Sequence, residues 1–382
     1  MVLLRVSKVD LLLVVLSVVL TAAILIPYLG LYSTAVQQEV EVGSGGLTIT
    51  ISPNVTRYTT VYRADGSVET YVKVGDPPSL QWYRLLANWM FNLYDRTNYQ
   101  GENFRQPVIT ITGSDVGGNY FENSYYGSAP TLVPYFSDAQ TSVNFTTYTV
   151  SPRYTGKTST YEVSITYSDT SDSNYYRANI TATYTHIAQS PITLTIAFVT
   201  LRYSSREIIF LIDTLDPPIT LNALEALQVT WVVEFPKQPP YTDTFWTVLR
   251  NFLALSNGPP DFGINYGAVS PERRYPEDLR VHFMQGSTVL STSSFSGGSI
   301  RILGVTVEND GFYIRLRASY TPTASTTVDR VVVALNADSR ADSVVSYTDY
   351  YLFSFPIGPV QLAPQRPLIV DITIKFANLF SQ

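Results

Sequence analysis

Residues 210–235 read FLIDTLDPPITLNALEALQVTWVVEF, residues 351–376 read YLFSFPIGPVQLAPQRPLIVDITIKF, and the two stretches align without a gap. Leu211 meets Leu352, Pro218 meets Pro359 and Leu221 meets Leu362. Leu227, Val229, Trp231, Val233 and Phe235 then meet Leu368, Val370, Ile372, Ile374 and Phe376. Apolar residues at every second position form one buried face of a strand, because successive side chains of an extended chain point to opposite sides. One matched strand says little, since strands look alike.

Two further matches lie upstream, in the same order. ATYT at 182–185, after YYRANIT, matches ASYT at 318–321, after FYIRLR. WYRLLANWMFNL from Trp82 matches FWTVLRNFLAL from Phe245. Trp82, Leu85, Leu86, Trp89 and Leu93 share one helical face, as do Phe245, Val248, Leu249, Phe252 and Leu253. Both helical segments follow a Pro-Pro pair, Pro77-Pro78 and Pro239-Pro240, and Asn257-Gly258 with the prolines after it ends the second. Three matches in one order predict an internal duplication into units 77–236 and 237–382. Each unit is expected to open with an amphipathic helix packed on its own sheets. The longer first unit carries its surplus in Gly113–Asp138, whose Gly, Ser, Asn and Tyr read as a surface loop.

The rest of the composition agrees with strands. Charged residues are 15% of the chain, against a usual value of about 25%. Tyr occurs 28 times, and Ser and Thr are abundant, which favours strands and turns over helices. The predicted class is all-β: two tandem β-sandwich or jelly-roll-like domains, each with one helix. Segment 36–76 precedes them as a β-hairpin neck, in which GLTITIS and TTVYRADGSVETYVKV alternate like strands and Asp65-Gly66 makes the turn. A hairpin alone is marginal in water, so this one needs a sheet to join, its own or a neighbour's.

The N-terminal segment 1–35 carries no charge from Leu11 to Tyr32, long enough to cross a bilayer at about 20 residues. Arg5 and Lys8 precede the run and the next basic residue is Arg57, which places the N-terminus in the cytoplasm and the bulk of the chain outside. The competing reading is a signal peptide cleaved after Ala35. The run exceeds a signal core of about 7–15 residues, which favours a retained transmembrane helix with the lipid bilayer as partner.

Chemistry-bearing patterns are sparse. There is no Cys, which removes disulfides, thiolate metal sites and a Cys nucleophile. Net charge is −6 with no basic stripe, which argues against a nucleic-acid partner. No phosphate loop, dinucleotide fingerprint, zinc motif or nucleophile elbow is present, so no catalytic residue, cofactor or metal site is assigned. The two histidines, His186 and His282, are expected to be structural. Glu162, Glu207, Glu225 and Glu234 would have to supply the facing carboxylates of a glycosidase. Alternating acids on solvated strand faces are the far commoner explanation. Asp169, Asp172 and Asn174 in SDTSDSN, and NADSRADS at 336–343, read as β-turns before calcium loops. Trp82, Trp89, Trp231 and Trp246 read as core. Sequons at Asn54, Asn144 and Asn179 are candidate glycosylation sites for an external domain.

A low-charge, Cys-free, Tyr-rich β chain behind an anchor resembles membrane-anchored β-rich surface proteins of hyperthermophilic archaea or their viruses. That resemblance implies a structural protein of a surface layer, filament or virion projection, associating with itself or other surface proteins. An adhesin or ligand-binding ectodomain, or a carbohydrate-active enzyme, are the alternatives. A long unpaired edge strand would favour assembly, and a concave pocket with facing carboxylates would favour the enzyme.

Overall fold

The structure is a computed structural model that describes residues 40–41, 46–75, 78–91, 94–95, 106–107, 131–138, 150–203, 206–237, 239–252, 276–295, 297–338 and 347–377. The apolar run 11–32 and Asn144 lie outside the described residues, as does most of NADSRADS. No described helix is long and apolar enough to cross a membrane.

In chain order the elements are β1 (Val40–Glu41), β2 (Leu47–Ile51), β3 (Asn54–Tyr62), β4 (Val68–Val74), α1 (Leu80–Phe91), β5 (Tyr94–Asp95), β6 (Gln106–Pro107), β7 (Thr131–Ser137), β8 (Tyr161–Asp169), β9 (Tyr175–His186), β10 (Ile192–Tyr203), β11 (Arg206–Leu221) and β12 (Ala226–Pro236). They continue with α2 (Asp243–Phe252), β13 (Pro276–Gln285), β14 (Thr288–Ser294), β15 (Ile300–Glu308), β16 (Gly311–Tyr320), β17 (Thr326–Asp338), β18 (Tyr347–Leu362) and β19 (Leu368–Ala377). The chain is all-β, with two short helices among the described residues.

Four sheets carry the fold, in a β-sandwich-like arrangement. The first half of the chain forms β4-β3-β12-β9-β8 and β11-β10-β7; the second half forms β19-β16-β15, edged by β1 and β2, and β14-β13-β17-β18. The order β12-β9-β8 with β11-β10-β7 recurs as β19-β16-β15 with β18-β17-β13. The registers recur too. Tyr184, Ala182, Ile180 and Ala178 face Leu227, Val229, Trp231 and Val233. Tyr320, Ala318, Leu316 and Ile314 face Leu368, Val370, Ile372 and Ile374. Between the sheets, Phe136 meets Tyr184 at 5.5 Å and Phe283 meets Tyr320 at 5.6 Å. β12 and β19 bury every second residue against one continuous core. Each such large apolar side chain contributes about 1.5–3 kcal/mol.

The turns that lead into β12 and β19 are matched in conformation without being matched in sequence. Leu224 (φ 67°) and Gln365 (φ 62°) both adopt the left-handed region that side chains avoid. Leu224 N donates to His186 O and Gln365 N to Pro322 O, both at 2.8 Å, while Glu225 N and Arg366 N close the turns on Asn222 O and Ala363 O, both at 3.2 Å. A positive φ at the third turn residue is the type II arrangement, usually given to Gly or Asn.

Each helix begins with a hydroxyl cap, as free N–H groups at a helix start require. Ser79 Oγ accepts from Trp82 N and donates to Ile209 O; Thr242 Oγ1 accepts from Phe245 N and donates to Tyr351 O. Trp82, Leu86, Phe245, Val248 and Leu249 are buried, as the helical face predicts, and Tyr83, Ala87 and Trp246 join them. The side chains of Leu85, Trp89 and Phe252, and residues Leu93 and Leu253, lie outside those described.

Two expectations are corrected. The helices do not pack on their own sheets alone. Trp82 stacks on Phe210 of its own half at 4.6 Å, but Tyr83 lies against Phe376 of the other half. The surplus segment Gly113–Asp138 is not all loop, because Thr131–Ser137 forms β7. There Leu132 and Phe136 alternate inward, and Pro134 is tolerated because β7 is an edge strand with no partner needed on one side.

Candidate functional site

The N-terminal strands are shared between the halves. β2 runs parallel to β19, with Ile49 and Ile51, both buried in the core, opposite Ile374 and Phe376. Only Ser52 and Pro53 separate it from β3, which runs antiparallel to β12 with Arg57 opposite Trp231. The segment expected as a neck on the first unit therefore closes a sheet in each half. At Gly46 (φ 62°) a Cβ would sit 2.8 Å from Asp371 O, so only glycine lets the chain enter β2 this close to β19.

Polar anchors fix the hairpin. Arg57 and Asp213 form an ion pair between β3 and β11, 3% and 0% exposed. Arg63 at the turn donates to Glu69 (2.8 Å), Thr220 O (2.8 Å) and Glu225 (3.2 Å). Backbone amides of Asn222 and Ala64 add to the Glu225 carboxylate and, against the cost of burial, hold its pKa below the usual range. Tyr241 donates to Thr50 O in β2.

Held this way, β4 is the outer edge of its sheet and both of its faces are open. Val72 is 60% and Val74 78% exposed. Tyr58 and Tyr62 of β3 and Val68 of β4 are also exposed, and with Val72 and Val74 they make an apolar strip on the hairpin's outer face. The bonds Arg63 N to Ser67 O and Gly75 N to Val55 O set the ladder's phase. Glu69, Tyr71 and Lys73 bond back to β3, and the N–H and C=O groups of Val68, Thr70, Val72 and Val74 point away from the sheet.

The other edges are blunted in the ways sheets usually protect themselves. β8 is covered by residues 156–158, with Val163 N bonded to Gly156 O. β15 is bulged between Ile302 and Gly304, and β14 is bulged against β13. β7, β11 and β18 contain prolines. β1 and β2 are two and five residues long. β4 has neither bulge nor proline nor cover among the described residues.

A second cluster crosses the outer face of β14-β13-β17-β18, one strand at a time. His282 (2% exposed) has Nδ1 2.8 Å from Thr292 Oγ1 and Nε2 3.2 Å from Asp349 Oδ2. Arg280 and Asn336 donate to the same carboxylate at 2.9 and 2.6 Å. Burial would raise the pKa of Asp349, but the His282 and Asn336 bonds and the Arg280 charge outweigh it and the net shift is downward. Hydroxyl, imidazole and carboxylate are triad residue types. Here the imidazole is buried and the carboxylate is held by three residues, His282, Arg280 and Asn336, so with Thr292 the cluster fastens four strands together. In the first half Tyr135 stands where His282 does, bonded by Arg202 (2.6 Å), stacked on Phe198 and covered by Arg153.

The remaining candidates are dispersed. His186 is buried and its Nε2 donates to Ser190 O at 2.7 Å. Glu162 pairs with Lys157 and Glu234 with Arg177; the Glu207 side chain is outside those described. Asp169 and Asp172 accept from turn amides at 171, 174 and 175, and Asp169 also accepts from Trp246. No group of three or more His, Asp or Glu able to hold a metal occurs among the described residues. Trp82, Trp231 and Trp246 are buried. Asn54 is exposed at the start of β3, and Asn179 alternates to the outer face of β9. No protein-family model, curated protein or solved structure matches the chain.

Proposed function

We propose that this chain is a membrane-anchored extracellular structural protein that assembles into a surface layer, filament or virion projection. In this reading it is a duplicated pair of jelly-roll-like domains behind a transmembrane helix at Leu11–Tyr32, external to the cell or on a virion, with glycans at Asn54, Asn144 and Asn179 where the host adds them. It performs no catalysis. The observation that carries the reading is β4: a seven-residue strand, open on its edge and both faces, while the other edges of the four main sheets are blunted among the described residues. An unprotected edge is a template for another strand.

The test is electron microscopy of native membranes or virions together with sedimentation of the full-length chain in detergent. Ordered arrays or concentration-dependent association support the reading, and a dispersed monomer at all concentrations overturns it. N-terminal sequencing of the native protein tests the anchor, which a mature start at Val36 would remove.

A further inference from the structure

We infer that β4 pairs antiparallel with β4 of a second copy, about a twofold axis through Tyr71, joining two five-stranded sheets into one. The inference rests on the self-association proposed above and names the surface and register. Three independent features of Val68-Glu69-Thr70-Tyr71-Val72-Lys73-Val74 agree on it.

The first is backbone phase. With Tyr71 opposite Tyr71 of the partner, Thr70 faces Val72 and Val68 faces Val74. These four residues are the ones whose N–H and C=O groups point outward, so each facing pair exchanges two hydrogen bonds. The second is charge. Glu69 then faces Lys73 twice, in non-hydrogen-bonded pairs whose Cα atoms approach to about 4.5 Å. Moving the axis to Thr70 or Val72 keeps the backbone phase but sets Glu69 or Lys73 beside Tyr71 and forfeits both ion pairs. The third is the apolar strip. Val68 and Val74 of each copy become neighbours across the seam, so Tyr58, Tyr62, Val68, Val72 and Val74 of one copy continue into the same residues of the other. A lone Lys on an edge strand usually discourages pairing. A Glu two positions before the axis and a Lys two after it turn that charge into a self-complementary one.

The chain has no Cys, so a single introduced thiol reports on its own position. Full-length Thr70→Cys, Tyr71→Cys and Val72→Cys variants in detergent are oxidised mildly and resolved on non-reducing gels. The axial pair lies within disulfide range, about 4.4–6.8 Å between Cα atoms. The expected result is a disulfide dimer at Tyr71→Cys, several-fold more abundant than at either neighbour. Separately, Val72→Pro removes an outward N–H that β3 does not use. It is expected to leave the thermal transition in place while sedimentation shows loss of the dimer. Preferred cross-linking at 70 or 72 overturns the register. Association that survives Val72→Pro without any cross-link at 70–72 overturns the β4 interface and leaves the assembly reading standing. A monomer at all concentrations overturns both.

Discussion

The hydroxyl of Tyr83 donates to the carbonyl of Ala377 at 2.9 Å, tying the helix that opens the first half to the last strand of the second, across a sequence separation of 294. The ring of Tyr83 lies 5.2 Å from Phe376. The counterpart contact runs the other way: Trp246, in the second helix, lies 6.3 Å from Phe235 at the end of β12 and stacks on Tyr176 at 5.6 Å. Each half thus lends its helix to the other's closing strand. That reciprocity is how a twofold dimer interface is built, with residue i on j and j on i. Burial holds the Tyr83 hydroxyl's pKa well above its usual value, so it stays a donor at any working pH.

Tyr83→Ala is therefore expected to destabilise both halves together. Truncating a buried aromatic costs about 3–5 kcal/mol. In urea unfolding the midpoint should fall while fluorescence and circular dichroism still report one coincident transition. Two separated transitions, only one of them shifted, would show that the halves fold independently.

The left-handed residues give a prediction of opposite sign. Leu224→Gly and Gln365→Gly relieve a conformation that costs an L-residue about 1–2 kcal/mol, against about 0.5–1 kcal/mol of added unfolded-state entropy. Leu224 is exposed, so no core packing is lost. Both variants should be as stable as the parent or up to about 1 kcal/mol more so. A loss above about 1 kcal/mol at either position would mean that the side chain makes a contact worth more than the strain.

Asp349 makes stability depend on acid. Its pKa is lower folded than unfolded, so its contribution is complete above the ordinary carboxylate range and is lost as pH falls through the lower folded value. Asp349→Asn should lower stability at neutral pH, where Arg280 loses its counter-charge, and should flatten the acid limb of the stability–pH curve. An acid limb unchanged by the substitution would assign it to other carboxylates such as Asp371, which the Arg317 hydrogen bonds hold low.

Period-2 alternation made β12 and β19 legible because their faces are buried on one side only, and the pairing of Leu227 with Leu368 carries straight into the observed registers. The helices were legible for the same reason, since Trp82 and Phe245 repeat one packing problem, while their hydroxyl caps, Ser79 and Thr242, were not read from the sequence. β7 was hidden by Pro134 and by the Gly- and Tyr-rich residues before it, which outweigh the two inward positions Leu132 and Phe136 in a short window. The turns at Leu224 and Gln365 were hidden because their conformation is held by distant carbonyls, His186 O and Pro322 O, and not by glycine. The Asp349 cluster draws single residues from four strands, so no local spacing announces it. β2 was visible as a strand, but its partner, more than 300 residues away, was not, since a five-residue strand carries no address.

The last prediction concerns what keeps β4 in place to meet a partner. Arg57 and Asp213 are both inside the sandwich, where removing one ion leaves the other buried without its counter-charge. Such half-removals cost about 3–5 kcal/mol, whereas replacing both ions by apolar residues of similar volume is often neutral or stabilising. Arg57→Met is therefore expected to loosen the hairpin, and Arg57→Met with Asp213→Leu to restore it. Lys73, 3.8 Å from Asp213, offsets part of the single-variant loss. Native-state hydrogen exchange reads this locally: amides of Thr59 and Val61 should exchange faster in the single variant and return towards parent rates in the double. Association should follow the same order, because an edge strand that frays from its own sheet cannot template another. Equal protection of those amides in all three proteins would show that the β3 ladder and the Arg63 anchors hold the hairpin without the buried pair.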